Sequence, residues 1–383
     1  MAIGVPAALP VDFAIRNGLV NLNQMPEYDR VSKWFRPGGL IPFRYQPPDS
    51  DVVGDWALPE TQDFGMLFYR TDILQELELE PPKTWEDVYT MLPRLQQAGM
   101  DFYYPPPSFA GGRAVGARQA VEGAVGLTPF LFQNGGRYYS DDGKRSALDE
   151  PRAIAGFREW TELYTNFRLP RESNFFTRFR TGEMPIGVAE YFFYVSFAVA
   201  APEISGRWVM QPMPGHLRED GSIDRTSGGL GQAGVIFKLS NKQYAAWEFL
   251  KWWMSPATQE RYGFELESLI GVEARWNTAN VEALQSLPWP RNDIAAVLEQ
   301  WSWFREQPVV LGGYFTGRHV LNAWNRVVLQ GWNLREALEE AVFDINKELA
   351  KKQEEFGFEV DPGLYTRGGQ SRYRPTPSSR SGQ

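Results

Sequence analysis

The sequence predicts an α/β protein, because segments with helical periodicity alternate with short apolar runs that are typical of β-strands. Four segments repeat their apolar residues at helical spacing, and four short runs between turn residues are rich in β-branched and aromatic side chains. With 383 residues, of which 43% are hydrophobic, the chain is long enough to bury a sizeable core and to form two or three domains.

The first two helices are predicted from their starts and their apolar stripes. Residues 81–100 are expected to be helical because Thr84 can cap the N-terminus, Asp87 follows three residues later and Gly99 marks the end. Residues 151–166 begin with a proline, which suits the first turn, and have one apolar stripe at helical spacing. We interpret this stripe as core packing.

Two further helices follow. Residues 240–254 are helical in pattern, Pro256 interrupts them, and the continuation is expected to end at Gly263. The last helix begins at Asn333, has Glu336 at the capping-box position, and is followed by the solvated charge run AKKQEEF. Three tryptophans of this region are assigned to packing: Trp247, Trp252 and Trp253.

The predicted strands lie between these helices, and the chain ends in a polar segment. The strand-like runs are residues 65–69, 185–189, 207–210 and 233–239. From residue 361 to residue 383 the chain is rich in Gly, Pro, Ser and Arg and has no apolar period. This segment is predicted to be a disordered tail.

Composition excludes several classes of function. A net charge of −8 opposes nucleic acid as a partner. The chain has no cysteine, which rules out disulfides, thiolate zinc sites and thiol nucleophiles. Its only histidines, His216 and His319, cannot build a multi-histidine zinc centre. We predict no cofactor and no metal centre of these kinds, while a calcium or magnesium site made of carboxylates stays open.

Neither a membrane span nor a signal peptide is predicted. No stretch reaches the roughly 20 apolar residues that a spanning helix needs. The first residues have no basic region and include two prolines before Asp12. The chain is therefore either cytosolic or a mature or partial form of an exported protein.

One glycine-rich run resembles a nucleotide-binding motif only formally. GGLGQAG has the GxGxxG spacing at Gly229, Gly231 and Gly234. A dinucleotide site needs a helix after this motif, and here the strand-like VIFKL follows. The pattern favours a flexible crossover or a loop beside a ligand.

Carboxylates next to aromatic residues suggest carbohydrate chemistry. Glu60, Glu122 and Glu190 all lie in such surroundings. Two of them can serve as the acid and base of a glycosidase if they lie about 5–10 Å apart, a distance that sequence spacing does not establish. The same groups can instead accept hydrogen bonds from sugar hydroxyls, which is binding without chemistry. Both alternatives stay open at this point.

Aromatic clusters lie in loop or element-end contexts, in SKWFRPG, EYFFYVSF, WSWF and GGYFTGRH. Such clusters mark either core or an interface or ligand groove. The candidates for ring stacking are Tyr191, Phe192, Tyr314 and Phe315. Arg318 and His319 are expected on a solvated helix start.

Taken together, the motifs resemble the family 1 extracellular solute-binding proteins of ABC transporters, which include maltodextrin-binding proteins. The similarity covers most of the chain. Its most specific piece is PPKTWED within residues 57–88, and further similar segments are residues 130–164, 179–193, 245–263 and 333–349.

This resemblance implies a two-lobe periplasmic-binding-protein-like fold of type II, with discontinuous lobes joined by crossover strands. The first lobe is expected to comprise residues 1–62 and 233–304, and the second residues 63–232 and 305–360. The resemblance also implies a protein that is not an enzyme, is monomeric, lies outside the cytoplasm, and binds a carbohydrate for an ABC transporter permease. The implied ligand-binding residues are Glu60, Gln62, Arg36, Trp34, Glu122, Glu190, Tyr191, Phe192, Tyr314, Phe315 and Arg318.

The chain also departs from the family pattern. It opens at what resembles the strand after the family's first strand–helix–strand unit, so we expect a truncated first lobe and a fragment of a longer exported chain. An interaction module of a cell-surface protein that has lost transport function is a third alternative, beside the binding protein and the glycoside hydrolase.

Overall fold

A computed structural model describes residues 1–47, 52–107, 125–307 and 309–364. Its strands are β1 (Ala2–Pro6), β2 (Arg44–Tyr45), β3 (Gly54–Asp55), β4 (Leu58–Arg70), β5 (Phe102–Tyr103), β6 (Ile186–Glu190), β7 (Trp208–Pro212), β8 (His216–Leu217), β9 (Ile223–Asp224) and β10 (Gly229–Val235).

The helices of the described residues lie between and after these strands. They are α1 (Pro10–Ile15), α2 (Tyr28–Val31), α3 (Thr71–Glu76), α4 (Trp85–Gln97), α5 (Leu127–Gln133), α6 (Pro151–Thr165), α7 (Phe175–Thr181), α8 (Phe193–Ala200), α9 (Gln243–Trp253), α10 (Pro256–Ile270), α11 (Val281–Ser286), α12 (Arg291–Ser302), α13 (Thr316–Val328) and α14 (Leu334–Glu355). The alternation of strands and helices confirms the predicted α/β class.

The main sheet is organised around β4, which is 13 residues long. The N-terminal half of β4 pairs antiparallel with β10, which in turn pairs with β1. Its C-terminal half lies between β6 and β7, and β6 also pairs in parallel with β5. One continuous strand therefore links two sets of partners, as expected for a crossover between two lobes.

The buried side chains divide in the same way. One large cluster includes Phe64 and draws on residues 64–213 and 284–349. Two smaller clusters, one of which includes Leu58, draw on residues 2–58 and 233–279. We call the part built on the smaller clusters the first lobe and the part built on the large cluster the second lobe. The division of the core falls within β4, between Leu58 and Phe64.

The division of the core differs from the predicted lobe boundaries in one region. Residues 281–304 were assigned to the first lobe, but Leu284, Trp301 and Phe304 belong to the large cluster, and α12 packs on β7. We therefore propose a third crossing near residue 280 rather than at 304. The remaining boundaries stay predictions.

The predicted helices are present with small shifts at their ends. Thr84 forms the predicted capping box with Asp87 at the start of α4. The α6 helix matches its prediction within one residue. Asn333 caps α14 by accepting from the backbone N–H groups of Arg335 and Glu336, and the charge run that was expected to follow the helix lies largely within it.

Two expectations about α9 and α10 were wrong. The α10 helix continues through Gly263 to Ile270. A side chain at Gly263 would lie 2.4 Å from Leu287, so this glycine permits close packing and does not end the helix. Trp247 and Trp253 are buried as predicted, but Trp252 is 55% exposed, because α9 turns that side chain away from the core.

The glycine-rich run was predicted to be a flexible crossover or a loop beside a ligand, and it forms β10, a strand that pairs with β4. Its glycines are needed because β10 passes tightly against β4. A side chain at Gly229 would lie 2.2 Å from the Asp63 carbonyl oxygen, and one at Gly231 would lie 2.4 Å from that of Thr61. The spacing that resembles a nucleotide motif therefore reflects strand packing.

At the C-terminus, Pro362–Leu364 form a 3-10 turn, and the rest of the predicted tail lies outside the described residues. Within the described part of the chain, no helix is both long and apolar enough to cross a membrane.

His216 joins three elements of the second lobe through one acid. Its Nε2 lies 2.9 Å from Glu159 Oε2 on α6, and the same carboxylate accepts from Tyr89 on α4 and from Asn134. Burial alone would lower the pKa of His216, but the hydrogen bond and charge of Glu159 outweigh it and raise the pKa above its usual value. This contact therefore stabilises the fold most when His216 is protonated.

We expect His216→Gln to lower the stability of the fold in a pH-dependent way. Because the folded pKa is raised, the stabilisation is fully present below about pH 6.5 and is lost as the pH rises through the folded value. The loss should be about 2 kcal/mol at about pH 5.5 and smaller at about pH 8.5, measured by urea denaturation.

His319→Gln is the matched control, because burial lowers the pKa of His319. Because burial disfavours the protonated form of His319, this residue costs stability at acid pH. The free energy of unfolding of His319→Gln, relative to the wild type, should therefore rise as the pH falls, whereas that of His216→Gln should fall. The same trend for both variants would contradict the assignment of the Glu159 contact.

Candidate ligand-binding site

A cleft of about 1150 Å³, its open mouth included, lies between the two lobes. Its first-lobe and crossover side is lined by Pro6, Ala7, Ala8, Asp12, Gly39, Pro42, Phe43, Pro59, Thr61, Gln62, Gly228, Gly229, Gly231 and Gln232. Its other side is lined by Tyr139, Phe304, Arg305, Glu306, Gln307, Val309, Val310, Gly313 and Tyr314.

Aromatic rings of the cleft differ in how far they are exposed. Phe43 and Phe304 are buried, so their rings are part of the floor. Tyr139 donates its hydroxyl to Thr316 Oγ1 at 2.8 Å, which fixes its orientation. Tyr314 is 46% exposed and packs against Phe315, with ring centroids 4.2 Å apart. Tyr314 is therefore the ring that offers an accessible face to a ligand.

The polar lining consists mainly of amides and hydroxyls held by the crossover strands. Gln62 and Gln232 lie on β4 and β10, and Gln307 lies opposite. The β4 backbone is fixed on its other side by Asn277, whose carbonyl accepts from the Gln62 N–H at 3.0 Å. Amide side chains offer both donors and acceptors, as a ligand rich in hydroxyl groups requires.

Arg36 fastens the first lobe to the segment that lines the cleft. Its guanidinium donates to the carbonyls of Trp301 and Phe304, and lies 3.3 Å from Glu306 Oε1. Burial raises the pKa of Glu306, and the charge of Arg36 partly offsets this. Arg36 was predicted to contact ligand directly, but it does not line the cleft and instead positions Phe304 and Glu306, which do.

Glu60 lies away from the cavity, within the first lobe. Its two carboxylate oxygens accept from the Gly4 N–H at 2.5 Å and from Trp253 Nε1 at 2.8 Å, and the residue is only 3% exposed. Both oxygens are thus engaged in holding β1 and α9 to β4. Its predicted role in ligand binding is not favoured by this geometry.

Glu190 and Tyr191 lie where β6 meets β4. Burial raises the pKa of the Glu190 carboxyl. Burial and the nearby charge of Glu190 raise the pKa of the Asp63 carboxyl. Tyr191 is 2% exposed and packs in the second-lobe core, 4.9 Å from Phe64 between ring centroids. In this structure Tyr191 does not present a stacking face, because the turn after β6 directs its ring inward.

Of the other predicted ligand-binding residues, some line the cleft, some lie elsewhere in the structure, and one lies outside the described residues. Gln62 and Tyr314 line the cleft as the resemblance implied, although their contact with a ligand stays a prediction. Phe192 is 44% exposed outside the cleft, and Trp34 packs on the first-lobe core beneath the Arg30 guanidinium. Glu122 lies outside the described residues.

Phe315 and Arg318 lie next to the cleft at the start of α13. The Arg318 guanidinium lies over the Phe315 ring at 5.3 Å, while Phe315 supports the ring of Tyr314. Arg318 is exposed as predicted, but the side chain of His319 is only 14% exposed and faces Asp344 at 3.7 Å. The expectation of a solvated His319 was therefore wrong, because α14 covers it.

The sequence reasoning missed the segment from Phe304 to Gln307, which supplies four lining residues. The aromatic cluster WSWF immediately before it was the available signal. The prediction did not extend to the next residues, REQ, because their position depends on the pairing of Ser227 with Phe304. No group of acids and histidines in the described residues can hold a metal ion.

The family of this chain follows from its match to a family model, the bacterial extracellular solute-binding proteins, over residues 7–260. This match covers more than half of the sequence. The chain belongs to the bacterial extracellular solute-binding proteins. The cleft between lobes linked by crossover strands is the ligand site expected of such a protein. Among curated proteins, none matches the chain in sequence.

Solved structures share the fold of this solute-binding protein. The sugar-binding protein MalE of Xanthomonas citri is 20% identical with a TM-score of 0.72, covering 93% of this chain and 85% of that one. A solute-binding protein of Thermotoga lettingae bound to α-D-tagatose is 16% identical with a TM-score of 0.69, covering 90% and 84%. The cyclic α-maltosyl-1,6-maltose-binding protein of Arthrobacter globiformis is 16% identical with a TM-score of 0.69, covering 90% and 83%. These likenesses show the two-lobe fold.

We expect Arg36→Ala to destabilise the protein by about 3 kcal/mol, because it leaves the Glu306 carboxylate buried without its partner. Denaturant unfolding of the wild type, both single variants and the double variant Arg36→Ala/Glu306→Gln measures this. The double variant should regain part of the loss, since a neutral amide needs no counter-charge. Strict additivity of the two changes would contradict a direct Arg36–Glu306 interaction.

Proposed function

We propose that this protein binds an oligosaccharide in the cleft and presents it to the permease of an ABC importer, without converting it chemically. The observation that supports this most directly is the accessible ring of Tyr314 in a cleft lined by the amides Gln62, Gln232 and Gln307. A ring can stack on the apolar face of a sugar while amides bind its hydroxyls.

The comparisons support the same class of ligand. Structures of the same fold are described as binding tagatose, maltose and cyclic maltosyl oligosaccharides. One protein of the same fold is instead described in complex with glycerophosphocholine, so the fold alone does not restrict the ligand to sugars. The lining of this cleft is what favours a sugar here.

The glycoside hydrolase alternative has less support. Glu60 and Glu190, two of the acids considered for it, do not line the cleft, and Glu122 lies outside the described residues. Glu306 does line the cleft, but its carboxylate faces Arg36. We therefore infer binding without turnover.

The family places this protein outside the cytoplasm. We infer that it acts there as a monomer whose lobes close on the ligand. The ligand contacts both sides of the cleft only in the closed state. Its binding therefore shifts an existing open–closed equilibrium of the protein towards that state. The closed form is then the one that a permease recognises.

We expect Tyr314→Ala to weaken oligosaccharide binding about ten- to a hundredfold, because it removes the accessible ring from the cleft. Thermal melts against a panel of mono- and oligosaccharides first identify the sugar with the largest shift, and calorimetry then measures its affinity for each variant.

Phe192→Ala is the matched control, because Phe192 is 44% exposed but lies outside the cleft. It should bind the same sugar as tightly as the wild type. An equal loss in both variants would contradict the assignment of the cleft and would restore the ligand role that the sequence resemblance gave to Phe192.

We also expect the purified protein to return every bound sugar unchanged after prolonged incubation, as judged by chromatography. Release of shorter sugars by the wild type, but not by Glu306→Gln or Glu60→Gln, would overturn the binding function in favour of hydrolysis.

A further inference from the structure

A second cavity on the surface of the second lobe shares one lining residue with the cleft. This cavity, which we call the outer groove, is lined by Gly135, Arg137, Asp141, Glu150, Arg152 and Arg305, with two further neighbours. Arg305 lines both the cleft and the outer groove. A ligand that extends beyond the cleft at this side therefore passes Arg305.

Two arginines of the outer groove have no acidic partner among the described residues. Arg137 is paired with Asp141 at 2.5 Å and with Glu150 at 3.1 Å, so the lining has three arginines against two acids. Arg152 and Arg305 form no ion pair within the part of the chain that the structure describes. The outer groove thus has an excess of positive charge in a chain with a net charge of −8.

Both of these arginines lie against the end of α5. The Arg305 guanidinium lies 4.6 Å from the ring centroid of Phe132. The Arg152 guanidinium lies at Gly135, where an added side chain would come within 3.3 Å of its Nη1. Since Phe132 and Gly135 are joined by a backbone hydrogen bond of 2.8 Å, the two cations are held on one turn of the chain.

The backbone of Arg305 is fixed as firmly as its side chain. Its N–H donates to the Ser227 carbonyl at 2.8 Å, just before the crossover strand β10. Arg305 therefore has a defined position at the boundary between the cleft and the outer groove, although its side chain remains exposed.

We propose that the ligand is an acidic oligosaccharide, with an anionic group that binds Arg305 and Arg152 in the outer groove while its sugar rings occupy the cleft. This inference rests on the proposed function and names the ligand class of the same site. The shared chemistry is a carboxylate, sulfate or phosphate on a sugar, and arginine binds each of these through charge-assisted, often bidentate hydrogen bonds.

The test compares neutral oligosaccharides with uronate, sulfated and phosphorylated oligosaccharides of matched length, by thermal melts and calorimetry. The acidic member of a pair should bind at least about tenfold more tightly than the neutral one, and added salt should reduce that difference. Comparison of the uronate, sulfate and phosphate ligands identifies which anion is recognised. Inorganic sulfate and phosphate alone show whether the sugar is required.

Arg305→Gln and Arg152→Gln should each reduce the ratio of acidic to neutral affinity. Arg152→Gln should also leave the affinity for the neutral sugar within about twofold, because Arg152 lines only the outer groove. Arg171→Gln is the matched control, because Arg171 is exposed, lines neither cavity and has no ion pair among the described residues. It should keep the full preference.

Two results would overturn the inference while leaving the proposed function intact. One is equal affinity for neutral and acidic sugars. The other is a loss of thermal stability in Arg305→Gln and Arg152→Gln with an unchanged preference, which would mean that these arginines only stabilise the end of α5. If no sugar of either kind binds, the proposed function itself fails.

Discussion

The continuous pairing of β4 is the constraint on which the rest of the structure depends. Its first half belongs to a ladder with β10, and its second half lies between β6 and β7. Because backbone hydrogen bonds must be satisfied along the whole strand, the two lobes share one sheet element and are fixed in position where they meet. The core divides at the same place, between Leu58 and Phe64. The cleft forms beside this strand since neither hydrophobic cluster extends across it.

At this junction, the charged residues whose side chains are engaged by other parts of the protein differ from those that line the cleft. Arg36 reaches across from the first lobe to the carbonyls beside Phe304, so the wall of the cleft is built by a residue that does not line it. Glu60 similarly connects β1, β4 and α9. Arg305, by contrast, has its backbone fixed and its charge unpaired among the described residues. An unpaired cation held in place is available for a ligand, whereas a paired one stabilises the fold.

The sequence predicted most of the fold and less of the site. Helices were predicted well because capping and periodicity are local, as at Thr84 and Asn333. Gly263 was misinterpreted as a helix end, and the run predicted as a flexible crossover or loop is the strand β10. The same residue type serves a turn, a loop or a close contact, and only the neighbour decides which. Tyr191 and Tyr314 looked equivalent as aromatic residues at element ends. They differ in exposure, 2% against 46%, because one turn directs its ring into the core and the other into the cleft.

By itself, the sequence determined the α/β class, the family, the acidic net charge and the absence of cysteine chemistry. These properties depend on composition and on patterns within short segments. Only the tertiary structure decided which residues line the cleft, because Tyr139, Gln232 and Arg305 are far apart in the chain and are brought together by the crossover strands. It also decided that Glu60 is buried and that Arg305 lines both the cleft and the outer groove. A side chain's surroundings depend on long-range packing, which no local pattern encodes.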